Sequence, residues 1–105
     1  MNKVNLLELI KEVEEPWHRI DVCTINNSIL RIAKIEGEFR WHTHQSKDEC
    51  FLVLKGKIFI DTNKEGTIEL NEMESYIVKK GTRHRSRADE PAWVLLIDPA
   101  KAKGK

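Results

Sequence analysis

The sequence predicts an all-β sandwich or barrel preceded by one short helix. Three observations carry this. Helical periodicity is confined to the stretch before Pro16. Beyond it, β-prone runs alternate with turn formers at intervals of about eight to twelve residues, the rhythm of a sandwich or barrel. The 105 residues suffice for one compact domain with a modest core, but not for two.

Taken in order, residues 5–14, NLLELIKEVE, read as an amphipathic helix. Leu6, Leu7, Ile10 and Val13 recur at helical spacing, and Asn5 with Glu8 forms an N-cap and capping pair. Pro16 stops the helix. The expected strands are 19–25, 28–36, 39–43, 49–55, 57–62, 67–70, 75–79, 84–88 and 92–97. Between them lie Asn26-Asn27, Glu36-Gly37, Lys55-Gly56, Asn63 to Gly66, Lys80-Gly81 and Asp89 to Pro91, each rich in residues that favour turns. The basic ending PAKAKGK is expected to fray. The organisation is therefore a helical segment at 1–16, one β domain at 17–98 and a flexible tail at 99–105.

Composition excludes several function classes. Eighteen basic side chains against seventeen acidic ones give a net charge of +1, so no strong field recruits nucleic acid or an anionic membrane surface. No window approaches the roughly 18 consecutive apolar residues of a membrane span. The N-terminal stretch MNKVNLLELIKEVEE turns acidic and lacks the features of a secretory signal. Cys23 and Cys50 are too few and too far apart for a thiolate cluster or a disulfide framework, and a cytoplasmic, reducing setting fits them. No nucleophile elbow, phosphate loop or dinucleotide fingerprint is present. The runs FLVL (51–54) and WVLLI (93–97) lack alternation, so a second face must be buried. A homodimer contact would do this, as would a covering by the N-terminal helix.

The chemistry gathers at WHTHQSKDE, residues 41–49. On a strand His42 and His44 point the same way, with α-carbons about 6.5 to 7 Å apart. Imidazoles at that spacing reach a common ion at about 2.0 to 2.1 Å. By itself the pair is weak evidence, since a solvated pair at a strand end is commoner than a ligand pair. Glu49 opens the next run in parity with Phe51 and Val53, and His84 follows the Gly81 turn. A buried carboxylate must be paired or metal-bound. Three imidazoles and one carboxylate form a donor set suited to Fe(II), Mn(II), Ni(II), Co(II) or Zn(II).

These residues resemble the cupin family. Gly37, four residues, His42-Thr43-His44, four residues, Glu49, six residues and Gly56 follow its first motif, with one residue missing from the first gap. Gly81 and His84 follow half of its second motif, in which Met73, Lys79 and Ala88 stand where the family has Gly, Pro and Asn. The resemblance implies a conical β-barrel of the double-stranded β-helix, or jelly-roll, type. It also implies a dimer and one divalent ion per chain near the wide mouth, held by His42, His44, Glu49 and His84. An octahedral ion with four protein ligands keeps two positions open, whereas a tetrahedral zinc would be closed.

Further candidates are weaker. Arg40 shares parity with the histidine pair and would reach an acidic ligand; Ser86 shares parity with His84 and would hydrogen-bond one. Arg85 and Arg87 take the opposite parity and are expected to face solvent or a partner, Trp41 to pack, and His18 to lie at the surface. The functional expectation is a metal-dependent enzyme acting on a small polar or acidic molecule by oxygenation, isomerisation or decarboxylation. Its alternatives are a metal-containing small-molecule binding or sensing module without turnover, and a barrel with a purely structural metal. No general acid or base besides the ligands can be named.

Overall fold

A computed structural model describes residues 3–100 of the chain. Among the described residues the strands are β1 (Arg19–Ile25), β2 (Ser28–Glu38), β3 (His42–Thr43), β4 (Glu49–Lys55), β5 (Ile58–Thr62), β6 (Gly66–Leu70), β7 (Ser75–Val78) and β8 (Arg83–Pro99). All pair antiparallel. One layer runs β1-β2-β8-β4-β7, while β3 and β5 pair with the first part of β8, and β6 pairs with β5. The jelly roll is therefore organised around β8, which takes part in both layers.

The sequence reading divides β8 into two strands with a turn at Asp89 to Pro91. The structure corrects this. β2 pairs Ile35 with Ala92 and Gly37 with Ala88, so three residues of β8 stand opposite Glu36 alone. The segment is a bulge that bends one 17-residue strand from one layer into the other. Pro91 has no N–H to donate, and a bulge is one of the few places in a sheet that tolerates it. The same local chemistry that suggests a turn thus serves a corner.

The expected helix over 5–14 is shorter than its pattern. An α-turn, α1, spans Leu6–Leu9, and a 3-10 turn follows over Ile10–Glu12. Asn5 caps it, its side-chain oxygen accepting from the Glu8 N–H at 3.1 Å. The Glu8 carboxylate accepts from Lys11 Nζ at 3.4 Å rather than turning back on Asn5. A 3-10 turn aligns residues three apart, which sends Ile10 and Val13 into one layer's outer face together. There they pack with Ile32, Leu54 and Leu95, and the Trp93 indole N–H donates to the Val13 carbonyl at 2.8 Å. Part of the second buried face inferred from FLVL and WVLLI is therefore covered within the chain.

The main core lies between the layers and includes Phe51, Val53, Ile58, Ile60, Val94 and Leu96. Each fully buried aliphatic side chain contributes about 1.5 to 3 kcal/mol. Met73, at the position where the family motif carries glycine, adopts φ +66°, the left-handed region that glycine occupies without cost. At the other end, β8 runs to Pro99, and the Ala100 N–H donates to the Asn27 carbonyl at 2.6 Å. Of the tail expected to fray, residues 101–105 lie outside the described residues.

Candidate metal centre

Strand pairing assembles the candidate ligands. β3 sits beside the start of β8 with His42 directly opposite His84. β4 begins at Glu49, whose side chain is buried in parity with Phe51 and Val53. His44 lies just past β3, yet its ring centroid is 4.8 Å from that of His42 and 5.5 Å from that of His84; His42 and His84 are 4.3 Å apart. One donor atom from each of His42, His44, Glu49 and His84 falls within 4.8 Å of the others. The Glu49 Oε1 is 3.3 Å from His44 Nε2 and 4.0 Å from His84 Nε2.

The tautomers follow from the hydrogen bonds. His84 Nδ1 lies 3.0 Å from the Thr82 carbonyl, and His42 Nδ1 lies 3.0 Å from the Arg40 carbonyl. A carbonyl only accepts, so each Nδ1 carries the hydrogen and each Nε2 presents a lone pair. His84 is fully buried, and its Nε2 is the one buried side-chain polar atom left without a partner among the described residues. Leaving such an atom unsatisfied costs about 1 to 3 kcal/mol, and a cation in the cluster would remove that cost. Burial pushes both His42 and His84 below the ordinary histidine range, which keeps them in the neutral, ligating form. For Glu49 burial acts upward, but the His44 hydrogen bond and the charge of Lys47 outweigh it and hold the carboxyl down at about 2. Neutral His42 and His84 beside the ionised Glu49 carboxylate fit a divalent ion.

Behind Glu49 lies a charged group absent from the sequence reading. Asp98, 1% exposed, accepts from Lys47 Nζ at 3.2 Å and from Arg31 Nη1 at 3.4 Å, and shares a hydrogen bond with Glu49. Burial, followed by the Glu49 charge, pushes the Asp98 carboxyl up. Arg31 is anchored in turn by Asp21, with Nε donating to Oδ1 at 3.0 Å. Such a network fixes the carboxylate's orientation from the side away from the cluster.

In front of the cluster opens a cleft of about 270 Å³. Its apolar walls are Ala33, Ile35, Phe51 and Leu96, with Trp17, Phe39, Arg19 and Arg40 around them and Ser86 among the lining groups. Arg40, between β2 and β3, and Ser86, on β8, both line this cleft, one exposed and one buried. Arg85 and Arg87 lie away from the cleft and hold the buried Asp61, their Nε atoms each 2.8 Å from its Oδ2. Trp41 lies beneath the Arg83 and Arg85 guanidinium groups at 5.1 and 5.3 Å. His18 is exposed, and half-buried Cys50 has its thiol pushed up by burial.

Trp17, Arg19 and Phe39 were not legible as site residues. The nearest signal for Trp17 is the Pro16 beside it, which bridges to Lys34 and brings the segment across the mouth. The Trp17 N–H then donates to the Lys34 carbonyl at 2.8 Å.

The family model of the Cupin domain matches residues 28–98. The chain belongs to the cupin family. It is 37% identical over 84 residues to the uncharacterised protein YdbB of Bacillus subtilis (strain 168), covering 80% of this chain and 74% of that one. Among solved structures, a cupin-2 domain protein from Shewanella frigidimarina NCIMB 400 superposes with a TM-score of 0.87 at 29% identity, over 91% of this cupin and 93% of that chain. A hydroquinone 1,2-dioxygenase from Sphingomonas sp. TTNP3, solved with 4-hydroxybenzoate bound, reaches 0.75 at 20% identity, over 90% and 72% of the two chains. That last likeness is one of fold.

Proposed function

We propose that this cupin is a metal-dependent enzyme acting on a small polar or acidic molecule, of the oxygenase, isomerase or decarboxylase type. One divalent ion per chain (Fe, Mn, Ni, Co or Zn) would be held by His42, His44, Glu49 and His84. The observation that carries this is the buried, unpartnered Nε2 of His84, aimed at three further donors within 4.8 Å. When bound, such an ion supplies Lewis acidity toward a substrate oxygen or, if redox-active, the means to use dioxygen. The chain's own part is positional. The walls of Ile35, Phe51 and Leu96 keep water from the reacting end, Arg40 orients an acid, and the Ser86 hydroxyl donates to a substrate oxygen. The shared fold of the hydroquinone dioxygenases supports the oxygenase branch.

A second reading, a metal-containing binding or sensing module without turnover, is favoured by one feature. Apart from the four ligands, the cleft lining offers no carboxylate or imidazole to move a proton. The protein would act as a homodimer, and its two unpaired cysteines suit the reducing cytoplasm.

Elemental analysis of untagged protein beside the Glu49→Gln variant tests the centre. About one iron, manganese, nickel or cobalt per chain, lost in the variant, is the expected result, and an oxygen-uptake screen then tests the oxygenase branch. The reading is overturned if protein prepared without chelator holds no divalent ion, and a His42→Ala, His44→Ala double variant melts like the wild type with every metal tested.

A further inference from the structure

We infer that the cleft is built for a flat aromatic carboxylate, its acid end between Arg19 and Arg40 and its ring against Trp17 and Phe39. The far end would meet the cluster, so this assignment rests on the metal-centre reading for that end alone.

The polar inventory narrows the ligand first. Apart from the metal ligands, the polar side chains lining the cleft are Arg19, Arg40 and Ser86. A polyhydroxylated molecule would press most of its hydroxyls against alkyl walls, where a hydroxyl buried without a partner is unfavourable. A sugar is therefore a poor occupant. Size narrows it again, since about 270 Å³ falls just below the roughly 300 to 1,000 Å³ of pockets for drug-sized ligands. One ring with short substituents suits that space.

Charge gives the acid. Among the described residues no carboxylate lies within 4.0 Å of the Arg40 guanidinium, which rests 4.9 Å above the Phe39 ring. The Arg19 guanidinium stands 4.0 Å from Asp98, a carboxyl already held more closely by Lys47 and Arg31. Two weakly engaged guanidinium forks at one mouth match the planar, bidentate geometry of a carboxylate.

The wall gives the ring. Trp17 and Phe39 are in contact, centroids 5.1 Å apart and tilted by 36°, and Phe39 meets the His42 ring edge-on at 5.3 Å. An aromatic surface thus leads from the mouth to the first metal ligand. Trp17 holds its place at φ +69°, a left-handed conformation that is strained for a bulky residue. Strain of this kind gathers at ligand clamps.

The test is calorimetric titration of zinc-loaded wild type, a redox-inert state, with benzoate, benzamide and cyclohexanecarboxylate, metal content being measured in every sample. Benzoate should bind at least about tenfold tighter than benzamide, the worth of a charge-assisted contact, and tighter than the puckered acid. Arg40→Met and Arg19→Met should each remove most of that preference while keeping one metal per chain and the wild-type melting temperature. Arg40→Lys should restore part of it, and Trp17→Leu should erase the preference for the flat ring. Metal-loaded protein that binds benzamide as well as benzoate, or keeps its preference in both arginine variants, overturns the inference and leaves the metal centre standing. If the wild type takes up no metal, the metal reading fails, and the same titrations of metal-free wild type against Arg40→Met decide the acid clamp on their own.

Discussion

Asp61, on the outer face of β5, is held by three neighbouring side chains. It accepts from Arg87 at 2.8 and 3.2 Å, from Arg85 at 2.8 Å and from the Thr67 hydroxyl at 2.7 Å. The Arg87 hydrogen bonds hold its carboxyl far below the usual range; burial opposes them, and Thr67 and Arg85 reinforce them. Because the folded value is depressed, the stabilisation is present above the ordinary value of 3.8 and is lost as pH falls below it. Asp61→Asn should therefore lower the melting temperature at pH 7 and flatten the acid side of the stability curve. A loss of about 1.5 to 3 kcal/mol is expected for a hydrogen bond to a charged group, at roughly 4 to 8 °C per kcal/mol in a domain of this size. Denaturant melts of both proteins from pH 7 to pH 3 check this, and parallel acid limbs would sink it. At this scale the sequence was informative where function is written in short spacing. The His42-x-His44 pair and the parity of Glu49 are local, so strand geometry alone aims them. Asp98 and Lys47, 51 residues apart, meet only because β8 is paired with β2 and β4, and no local pattern announces such a contact. Trp17 and Arg19 reach the cleft for the same non-local reason.

Among the elements, β8 is where the fold is decided. Its bulge at Asp89 to Pro91 faces Glu36 on one side, and the β4–β5 turn closes over its neighbour Ala92 on the other. Gly56, in that turn, has φ +92°, and a side chain there would bring its Cβ to 2.9 Å from the Ala92 Cβ and 3.1 Å from the Pro91 carbonyl oxygen. Neither neighbour yields, since Ala92 is fully buried and Pro91 is rigid. Gly56→Ala should thus cost about 1 to 3 kcal/mol through overpacking, with the left-handed backbone adding to it. Thermal unfolding measures this, and a variant within about 2 °C of wild type, under half the shift expected for 1 kcal/mol, would show that the corner can relax. Most strand positions were legible from the alternation of β-prone runs with turn formers. The bulge was not, because proline and acidic residues look the same in a turn and in a corner; only the register of the neighbouring strands separates them. The helix was overlong for a related reason. Its apolar spacing suits a 3-10 turn as well as an α-helix wherever two buried positions stand three residues apart, as Ile10 and Val13 do.

Over the whole molecule, the N-terminal segment covers one part of the outer face and leaves another bare. The register places Cys23, Leu30, Ile97, Cys50 and Ile77 side by side across β1, β2, β8, β4 and β7. Ile77 is 52% exposed, and Leu30, Cys50 and Ile97 are half-buried. On the adjacent row Ile32 and Leu95 are buried within the cluster that Ile10 and Val13 complete. The bare row is thus a continuation of a covered surface, and a second copy of the chain is the occupant proposed for it. Two-fold pairing would lay the row against itself, and a stable interface would bury about 1,200 to 2,000 Å² in total. Ile77→Lys would then place two like charges at each interface while changing a side chain that the single chain leaves half in solvent. Light scattering should give twice the chain mass for wild type and the single mass for Ile77→Lys. The wild-type melting temperature should rise with protein concentration, as dissociation-linked unfolding requires, and that of the variant should not. A wild type that stays at single mass across the accessible concentrations, or a variant that stays at double mass, would remove this row as the dimer contact. The second result would still place the dimer interface on another face, and the aromatic outer surface of β5 and β8 would be next to test.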